Sequence, residues 1–515
     1  MRDFSLLYYK NIMKYFRRIV NYFFYSIRIN RIYCDHKNFK KLQQEELFKI
    51  INLTKSTKWG TIYKYGEINS IEDFQKNVPI SKYEEIAPFV EEMLKGEKNI
   101  LWPGFVKNFS KSSGTTNAKS KYIPLPDISL QKNHFNQGMD MISVYLYNNK
   151  YSRVLFGKTL SITGSLSNSP FGNKDIMVGD VSAVIASNVP KWAHIIRTPK
   201  LSTALLSDWK EKVKNIVDSA SKENVVALLG TPTWVSVILN RLNENTNKPV
   251  SASWKNLEVF FHGAVSFAPY KTLFKELLPD KKINYVEVYN ASEGFFAFSD
   301  DMEKPEEMLL CLSGVFYEFI PLSEFVKGER NSITLENVVC GVSYVLIITT
   351  YGGLSRYIIG DTISFVNLDP FKIIFTGRTK YFLNAFGEEL EAFHVEKALK
   401  ESLQKTGGSI KNFTVAPLYM KDGKSGAHEW LIEWSFEPSD ILLFENSVDE
   451  IIKNLNSDYE AKRMNDSILG KPVFRYLPEN TFHNWMEKRG KLGGQNKVPI
   501  LSNNREYVDD IINTL

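Results

Sequence analysis

The sequence predicts an α/β protein with two domains, a large body that contains buried sheets and a smaller α+β unit towards the C-terminal end. The chain has 515 residues, which is too long for one ordinary core. Short apolar runs typical of buried strands alternate with segments of helical periodicity along most of the chain. Near the C-terminal end the pattern changes to helix, two strands and helix, which indicates a separate compact unit.

The periodicity of apolar residues assigns the individual elements. Helices are predicted at 43–53, 81–94 and 207–220, and in the last of these Trp209, Val213 and Val217 share one face. Buried strands are predicted at 225–229, 257–261, 283–288, 344–349 and 373–375.

The domain boundary is predicted at 377–380. The large domain then covers 1–376, a hinge 377–380, and a small cap domain 381–515. The cap is expected to contain a helix at 390–403, strands at 413–418 and 429–436, and one long helix at 439–463. A large body followed by a small mobile cap is typical of enzymes that rearrange between reaction steps.

The first segment, 1–40, is a basic amphipathic stretch. It has no uncharged run of the ~20 residues that a spanning helix needs. It also has no compact apolar run followed by a cleavage site, as a signal peptide would. We predict a helix packed on the body, and contact with an anionic membrane surface is the alternative.

Charge and cysteine content exclude several classes of protein. A formal net charge of +6 on this length, without a concentrated patch outside the first segment, argues against nucleic-acid binding. The cysteines Cys34, Cys311 and Cys340 show no spacing for a disulfide framework or zinc, so reduced thiols and a cytoplasmic location are expected. No exposed coiled-coil seam is evident in the sequence, which favours a monomer.

The strongest local motif is 111–121, which combines hydroxyls, a glycine and lysines. Gly114 lets the backbone turn its N–H groups towards phosphate oxygens, and Lys119 or Lys121 can neutralise charge. It is not a Walker A loop, and by itself such a stretch is more often a solvated loop. The hydroxyl donors are Ser112, Ser113, Thr115 and Thr116.

Other motifs follow predicted strands or lie near the C-terminal end. Glu293 could hold magnesium through oxygen and Tyr289 could stack on a base, although Ser292 suits a simple helix cap. Asp361 could accept the hydroxyls of a ribose, or could belong to an ordinary Gly-Asp turn. Lys497, in a glycine-containing loop, could reach a site or lie in solvent.

The order of these motifs is more specific than any one of them. Ser-Ser-Gly-Thr-Thr, Tyr-x-x-Ser-Glu, Tyr-x-x-Gly-Asp, Gly-Arg at a domain boundary and a late lysine resemble the acyl-adenylate-forming superfamily of luciferases and acyl-CoA synthetases. Within it the chain resembles the auxin-responsive Gretchen Hagen family of acyl acid–amido synthetases, its bacterial branch more than its plant branch. The resemblance covers nearly the whole chain and implies a small β-barrel in the large domain.

The resemblance implies a role for each matching position. The phosphate loop matches Ser112, Ser113, Gly114, Thr115 and Thr116, and Lys121 is its closing lysine. The adenine pocket matches His262, Gly263 and Ala264, with Tyr289 as the stacking residue beside Ser292. The remaining matches are Glu293 as magnesium ligand, Asp361 as ribose-binding carboxylate with Arg378 as its partner, Lys380 at the hinge and Lys497 as the catalytic lysine of the small domain. By position, Trp234 and Val265 are candidates for the wall of the acyl pocket.

The implied activity is ATP- and magnesium-dependent adenylation of a carboxylic acid, followed by acyl transfer to an amine such as an amino acid. Ala118 and Ala264 stand where glycine is common, and we expect them to alter affinity without abolishing function. Two alternatives stay open. One is transfer to a thiol of coenzyme A or a carrier protein, and the other is a non-catalytic nucleotide-binding or membrane-surface protein.

Overall fold

The structure is a computed structural model of the chain, and its described residues form two compact units. The larger unit comprises Met1–Ala264, Asp280–Ile359 and Ser364–Ile374, and the smaller comprises Val265–Pro279, Gly360–Ile363 and Phe375–Leu515. The described residues are 2–112, 121–246, 250–264, 267, 270–279, 282–379, 382–383, 385–386, 388, 390–419, 425–463, 469–490, 498–502 and 504–515.

Helices occur throughout the chain, and α13 and α15–α19 belong to the smaller unit. The α-helices are α1 (Arg2–Lys37), α2 (Phe39–Thr54), α3 (Lys58–Ile62), α4 (Ile71–Asn77), α5 (Tyr83–Lys95), α6 (Asp127–Ser129), α7 (Asn136–Asn148), α8 (Val181–Asn188), α9 (Leu201–Ala204), α10 (Trp209–Ala220), α11 (Pro232–Thr246), α12 (Val250–Ser253), α13 (Lys271–Leu277), α14 (Leu322–Val326), α15 (Ala392–Thr406), α16 (Ile441–Leu455), α17 (Ser457–Arg463), α18 (Thr481–Lys488) and α19 (Glu506–Ile512). A π-helical turn, Leu130–Phe135, precedes α7.

Strands build the sheets of both units. They are β1 (Asn108–Ser112), β2 (Lys121–Pro124), β3 (Lys158–Ser161), β4 (Leu166–Asn168), β5 (Met177–Gly179), β6 (Arg197–Thr198), β7 (Val225–Gly230), β8 (Val259–Gly263), β9 (Asn284–Asn290), β10 (Phe295–Ser299), β11 (Met308–Leu310), β12 (Val315–Pro321), β13 (Ile333–Thr334), β14 (Ser343–Thr350), β15 (Tyr357–Leu368), β16 (Phe371–Arg378), β17 (Phe382–Leu383), β18 (Leu390–Glu391), β19 (Ser409–Leu418), β20 (Ala427–Phe436) and β21 (Val473–Leu477).

The main sheet has twelve strands in the order β13-β12-β14-β15-β16-β11-β10-β9-β8-β7-β3-β6. Strands β3, β6, β7, β8 and β9 run parallel, so their carboxyl ends meet at one edge. The first four residues of β7 are buried, as expected for a strand covered on both faces. The predicted α/β class is confirmed.

Strands β12–β16 continue the twelve-stranded sheet at its antiparallel end. Strand β16 pairs with β11, which pairs with β10, so hydrogen bonding passes without a break into the parallel half. The small β-barrel that the resemblance implies for the large domain stays a prediction.

A second sheet of four strands, in the order β2-β1-β5-β4, lies in the larger unit. Strands β1 and β2 are antiparallel, and Ser112 is paired with Lys121. The two ends of the predicted phosphate loop therefore lie opposite one another, with 113–120 outside the described residues.

Helix α1 packs against α7 in the larger unit, in agreement with a helix lying on the body. Tyr25, Ile29 and Ile32 are buried in a core cluster that includes Tyr145. Asp140 on α7 accepts from Arg28 Nη1 at 2.8 Å and also pairs with the α1 residue Arg31. None of the described helices combines the length and the apolar content needed to cross a bilayer.

The smaller unit has its own core beneath the three-stranded sheet β19-β20-β21. The prediction of one long helix at 439–463 is wrong, because the segment forms α16 and α17 with a break at Asn456. The Asn456 side chain accepts from Tyr459 N at 2.8 Å and donates to Glu388 O at 2.9 Å. An asparagine that caps a new helix ends the previous one.

Candidate active site

The carboxyl edge of the parallel strands gathers several predicted residues of the larger unit. Strand β8 ends with His262 and Gly263, and β9 ends at Asn290, three residues before Glu293. In open α/β sheets, ligands bind outside the carboxyl ends of the strands. This edge is therefore the candidate active site.

The turn between β9 and β10 fixes Glu293 at this edge. Its ends are closed by the bond from Ala291 N to Gly294 O, 2.8 Å long. Ser292 is buried, and its Oγ accepts a hydrogen bond of 2.9 Å from Ser110 Oγ. Since Ser110 lies on β1 two residues before Ser112, this bond joins the beginning of the predicted phosphate loop to the Glu293 turn.

Two residues of the π-helical turn hold the same hairpin. Asn133 accepts from Phe295 N at 2.6 Å and donates to Phe295 O at 3.1 Å. His134 Nδ1 lies 3.0 Å from Asn290 Oδ1. Burial lowers the pKa of His134 to about 4, so its ring is neutral near pH 7. Both residues are structural supports that sequence reasoning missed, because neither belongs to a local motif.

Tyr83, at the start of α5, lies beside the predicted lysine Lys121. The Lys121 ammonium lies 5.5 Å from the centre of the Tyr83 ring, and the Tyr83 hydroxyl accepts from Tyr122 N at 2.8 Å. Burial raises the pKa of Tyr83 to about 12, and the negative charge of Glu293 adds to this rise. Tyr83 therefore keeps its proton, and its position here was not predicted, because it belongs to no local motif.

The predicted adenine-binding turn follows β8. His262 is buried, with its ring centre 5.4 Å from Phe260 and 6.3 Å from Tyr285. Tyr289, half-buried on β9, packs edge-on to Phe296 with centres 5.1 Å apart. Ala264 has a φ of 75°, which lies in the left-handed region.

The backbone of Ala264 provides a stability prediction. An alanine in the left-handed region costs about 1–2 kcal/mol, whereas glycine adopts it freely. We expect Ala264→Gly to raise the free energy of unfolding by about 0.5–1 kcal/mol in urea titrations, after the entropy cost of glycine is subtracted. The matched control is Ala252→Gly in α12, where we expect a loss of about 0.5–1 kcal/mol. A loss at both positions would contradict strain at Ala264.

The candidate ribose-binding residues lie in the smaller unit. Asp361 is buried on β15, and Arg378 Nε lies 2.8 Å from its Oδ1. The Arg378 side chain is 44% exposed. The pairing expected from the resemblance is therefore observed, while the ribose-binding role of Asp361 stays a prediction.

Of the two acyl-pocket candidates, Trp234 and Val265, only Trp234 lies among the described residues. Trp234 is buried, and its ring centre lies 4.3 Å from that of Trp209 in an edge-on contact. Leu229, which the sequence analysis did not single out as a site residue, is 38% exposed near the carboxyl end of β7, whose first four residues are buried. An exposed leucine at this edge provides apolar surface of the kind that lines ligand pockets.

Lys212 is a buried cation near the same edge. It lies on α10, and its Nζ donates to Thr163 O at 3.0 Å and to Gly164 O at 3.1 Å, just beyond β3. Burial lowers its pKa to about 8, and the negative charge of Asp180 opposes this decrease. Lys212 thus fixes the chain that follows β3.

This lowered pKa predicts the pH dependence of stability. From about pH 8 to about 10.5, folded Lys212 has lost its proton while the unfolded lysine retains it. The unfolded state then binds more protons, so stability rises with pH. We expect the wild type to gain stability relative to Lys212→Met across this window, with a constant difference below it, in urea titrations. Exposed Lys214→Met is the control, and a matching pH profile for the two variants would contradict the burial effect.

Several predicted residues cannot be placed. Ser112 is described by its backbone alone. The others lie outside the described residues, and they are Ser113, Gly114, Thr115, Thr116, Val265, Lys380 and Lys497.

Comparison with known families decides the relationship of this chain. Models of the GH3 family match it in three parts, the N-terminal domain at residues 28–283, the central domain at 308–378 and the C-terminal domain at 393–506. The chain belongs to the GH3 family. The predicted family is thereby confirmed.

Relatives in this family include named plant enzymes. The chain is 22% identical to indole-3-acetic acid-amido synthetase GH3.3 of Arabidopsis thaliana, over 90% of the chain and 89% of the relative. It is 24% identical to 4-substituted benzoates-glutamate ligase GH3.12 of the same plant, over 90% and 92%. These names indicate the chemistry of the relatives.

Solved structures show the same fold. A GH3.15 acyl acid amido synthetase in complex with 2,4-DB superposes with a TM-score of 0.78 at 17% identity, covering 95% of this chain and 96% of that one. A 2-hydroxyisobutyryl-CoA ligase in the postadenylation state superposes with a TM-score of 0.58 at 10% identity, covering 91% and 90%. The chain therefore shares its fold with these two enzymes.

Proposed function

We propose that this GH3 chain is an acid–amino acid ligase that joins a small-molecule carboxylic acid to an amine through an acyl-adenylate. The supporting observation is the bond between Ser110 and Ser292, which ties the start of the phosphate-loop motif to the Glu293 turn. The phosphate-loop motif would bind phosphates, and Glu293 would bind a cation. Their proximity therefore suits the binding of a nucleoside triphosphate.

ATP is the proposed energy source. The hydroxyls and backbone of 112–116 and the Lys121 ammonium would bind its phosphates. His262, Gly263, Ala264 and Tyr289 would line its adenine, and Asp361, paired with Arg378, would accept the ribose hydroxyls. These roles follow the family resemblance.

Magnesium is the proposed cofactor, and the residues present fit it. Among the described residues no cluster of three or more histidine, cysteine or acidic side chains could hold a metal. Magnesium nevertheless needs few protein ligands, since one or two carboxylates and substrate phosphates suffice. The carboxylate of Glu293 can provide one such protein ligand. Glu293 is 8% exposed and lies on a turn that is held by hydrogen bonds. Bound there, magnesium would neutralise charge on the phosphates.

The proposed reaction has two steps. An oxygen of the carboxylic acid attacks the α-phosphorus of ATP, and the bond to the β-phosphate breaks as pyrophosphate leaves. The amine then attacks the acyl carbon, AMP leaves with the bonding electrons, and the amine proton passes to solvent. Both reactants of the first step are anions, so the residues' task is to cancel charge and align them.

The test of this function is an ATP–pyrophosphate exchange screen over aryl, indolyl and fatty acids, followed by amine addition and product mass analysis. An acid-dependent exchange and an amide product are expected. A thioester formed with coenzyme A, and no amide, would overturn the amine acceptor. The absence of exchange with every acid would count against adenylation.

Lys497 is proposed to bridge the substrate carboxylate and the α-phosphate, as the resemblance implies. We expect Lys497→Ala to lose pyrophosphate exchange far more than ATP binding, because the interaction forms mainly in the transition state. Isothermal titration with ATP and exchange rates would measure the two effects. The control is Lys488→Ala in α18, and equal exchange in Lys497→Ala and wild type would remove Lys497 from the mechanism.

The proposal includes the setting in which the enzyme acts. We expect a monomer with no nucleic-acid partner in a cytoplasmic location, which the free thiols of Cys34, Cys311 and Cys340 support. Peripheral membrane contact through the N-terminal segment stays a prediction of the sequence.

A further inference from the structure

His134, on the π-helical turn before α7, has one ring nitrogen with a partner and one without. Its Nδ1 lies 3.0 Å from Asn290 Oδ1, an oxygen that can only accept, so Nδ1 carries the ring proton. Burial lowers the pKa of the ring to about 4, so Nε2 is an unprotonated acceptor near pH 7. No described residue donates a hydrogen bond to Nε2, although His134 is only 3% exposed.

A buried acceptor without a partner is unfavourable in a folded protein. Nearly all buried polar side-chain atoms are paired, and leaving one unpaired costs free energy. The bond to Asn290 does not require this cost, because an asparagine at position 134 has a donor for Asn290 and no ring acceptor. The Nε2 acceptor is therefore available to a donor from a ligand.

The turn that carries His134 belongs to the candidate active site. His134 bonds to Asn290, the last residue of β9, and Asn133 bonds to both the N–H and the carbonyl of Phe295. Two consecutive residues of the π-helical turn thus hold the hairpin that carries Glu293. Such turns occur frequently at functional sites. The unpaired acceptor therefore lies at the carboxyl edge of the main sheet.

Strand alternation places His134 on the opposite side of β9 from the proposed adenine-stacking residue. Val286 and Val288 belong to the core cluster that α7 shares, so alternate residues of β9 face α7, and Asn290 is the next of them. Tyr289 faces the other side of the sheet. The donor for Nε2 is therefore sought in a part of the ligand other than adenine.

The side of the sheet that faces α7 also presents apolar surface. Leu229 is in register with Phe261, which is in register with Val286, so these three side chains share that side. Leu229 is 38% exposed near the carboxyl end of β7. Small-molecule sites combine apolar walls with a few polar groups that fix orientation and specificity. Leu229 and the His134 acceptor suit the acyl part of an acid in these two roles.

We propose that His134 selects the acid substrate by accepting, at Nε2, a hydrogen bond from an O–H or N–H group on the acyl part. This inference rests on the ligase function proposed above and narrows its acid to those that carry such a donor, for example hydroxyaryl or indolyl acids. An unsubstituted fatty acid has no donor on its chain and leaves the acceptor unpaired. A site that bonds a substrate O–H or N–H rejects the analogue without it, because its buried polar group then lacks a partner.

The test compares acids that differ in the donor alone, by ATP–pyrophosphate exchange and by isothermal titration of the full chain. The pairs are para-hydroxybenzoate with para-methylbenzoate, and indole-3-acetate with its N-methyl analogue. In wild type, kcat/KM for the donor-bearing acid of at least one pair should exceed that of its analogue by about tenfold to a hundredfold. In His134→Asn this ratio should fall to about threefold or less, through a loss with the donor-bearing acid alone.

The controls separate recognition of the acid from support of the hairpin. His483→Asn makes the same change at a partly exposed position of the smaller unit and should leave exchange with every acid as in wild type. Asn133→Ala removes bonds to the hairpin but keeps the acceptor, so it should lower exchange with both members of a pair by the same factor. His134→Leu provides a second variant without the acceptor, and thermal melting checks that each variant is folded.

Three results would overturn the inference. One is equal exchange and equal binding of both members of each pair in wild type, and another is a preference that His134→Asn leaves unchanged. The third is an equal loss for both members in His134→Asn, which would make His134 a support of the hairpin alone. Absence of exchange with every acid would count against the ligase function instead, and the titrations would still decide whether His134 favours the donor-bearing acid.

Discussion

Glu293→Gln is expected to lower the rate of ATP–pyrophosphate exchange by about a hundredfold to a thousandfold, the range seen when one group that stabilises transition-state charge is lost. The amide keeps the size of the side chain, so the turn held by Ser110 and Asn133 should persist. It lacks the negative charge that would retain magnesium against the phosphates. The exchange rate is measured at saturating acid across a magnesium titration.

The control for this substitution is Glu303→Gln, which makes the same chemical change at an exposed position beyond β10. Its exchange rate should equal that of wild type. Thermal melting should give the same midpoint for Glu293→Gln and wild type within a few degrees. Undiminished exchange in Glu293→Gln would exclude this carboxylate as the metal ligand, even if the chain proves to be a ligase.

Arg356→Met is expected to lower the free energy of unfolding by about 3–5 kcal/mol, because it leaves the buried Glu318 carboxylate without its countercharge. The Arg356 Nε lies 3.2 Å from each Glu318 oxygen, and both side chains are at most 5% exposed. The guanidinium also donates to Val78 O at 2.6 Å and to Ser332 Oγ at 2.8 Å. It thereby ties β12 to the segment before Ser81, which bridges to Tyr357 on β15.

Urea unfolding of the larger unit measures this loss. The control is Arg330→Met, an exposed arginine whose replacement should change stability by less than about 0.5 kcal/mol. Adding Glu318→Gln to Arg356→Met should recover part of the loss, since the second change removes the uncompensated charge. A loss below about 1 kcal/mol in Arg356→Met, or full additivity of the two changes, would contradict the pairing.

The parts of the fold that could be predicted are those with a local physical cause. The central residues of β7 and β8 were predicted because strands buried on both faces are continuously apolar. Helix α10 was predicted from its periodicity, and Val213 and Val217 are buried as expected. The prediction of a single helix at 439–463 was wrong because the Asn456 side chain caps α17 at Tyr459 N and also donates to Glu388 O, contacts that apolar periodicity does not register.

In the candidate active site, too, features with a local cause were predicted and features that depend on distant contacts were not. The motifs around Glu293 and Asp361 identified candidate carboxylates, and the order of the motifs identified the family. The supports of the Glu293 turn were missed, since Ser110 lies 182 residues from Ser292 and Asn133 lies 162 from Phe295. A single serine or asparagine carries no sign of so distant a partner.

The sequence by itself determined the α/β class, the family and the chemical groups available to bind a nucleotide, because apolar periodicity and motif order are local properties of the chain. Only the tertiary structure decided which groups support one another. Examples are the hydrogen bonds that hold the Glu293 turn and the ion pair between Arg356 and Glu318. It also decided which face of α1 meets solvent. Burial and hydrogen bonding between distant segments determine these features, and both exist only when the chain is folded.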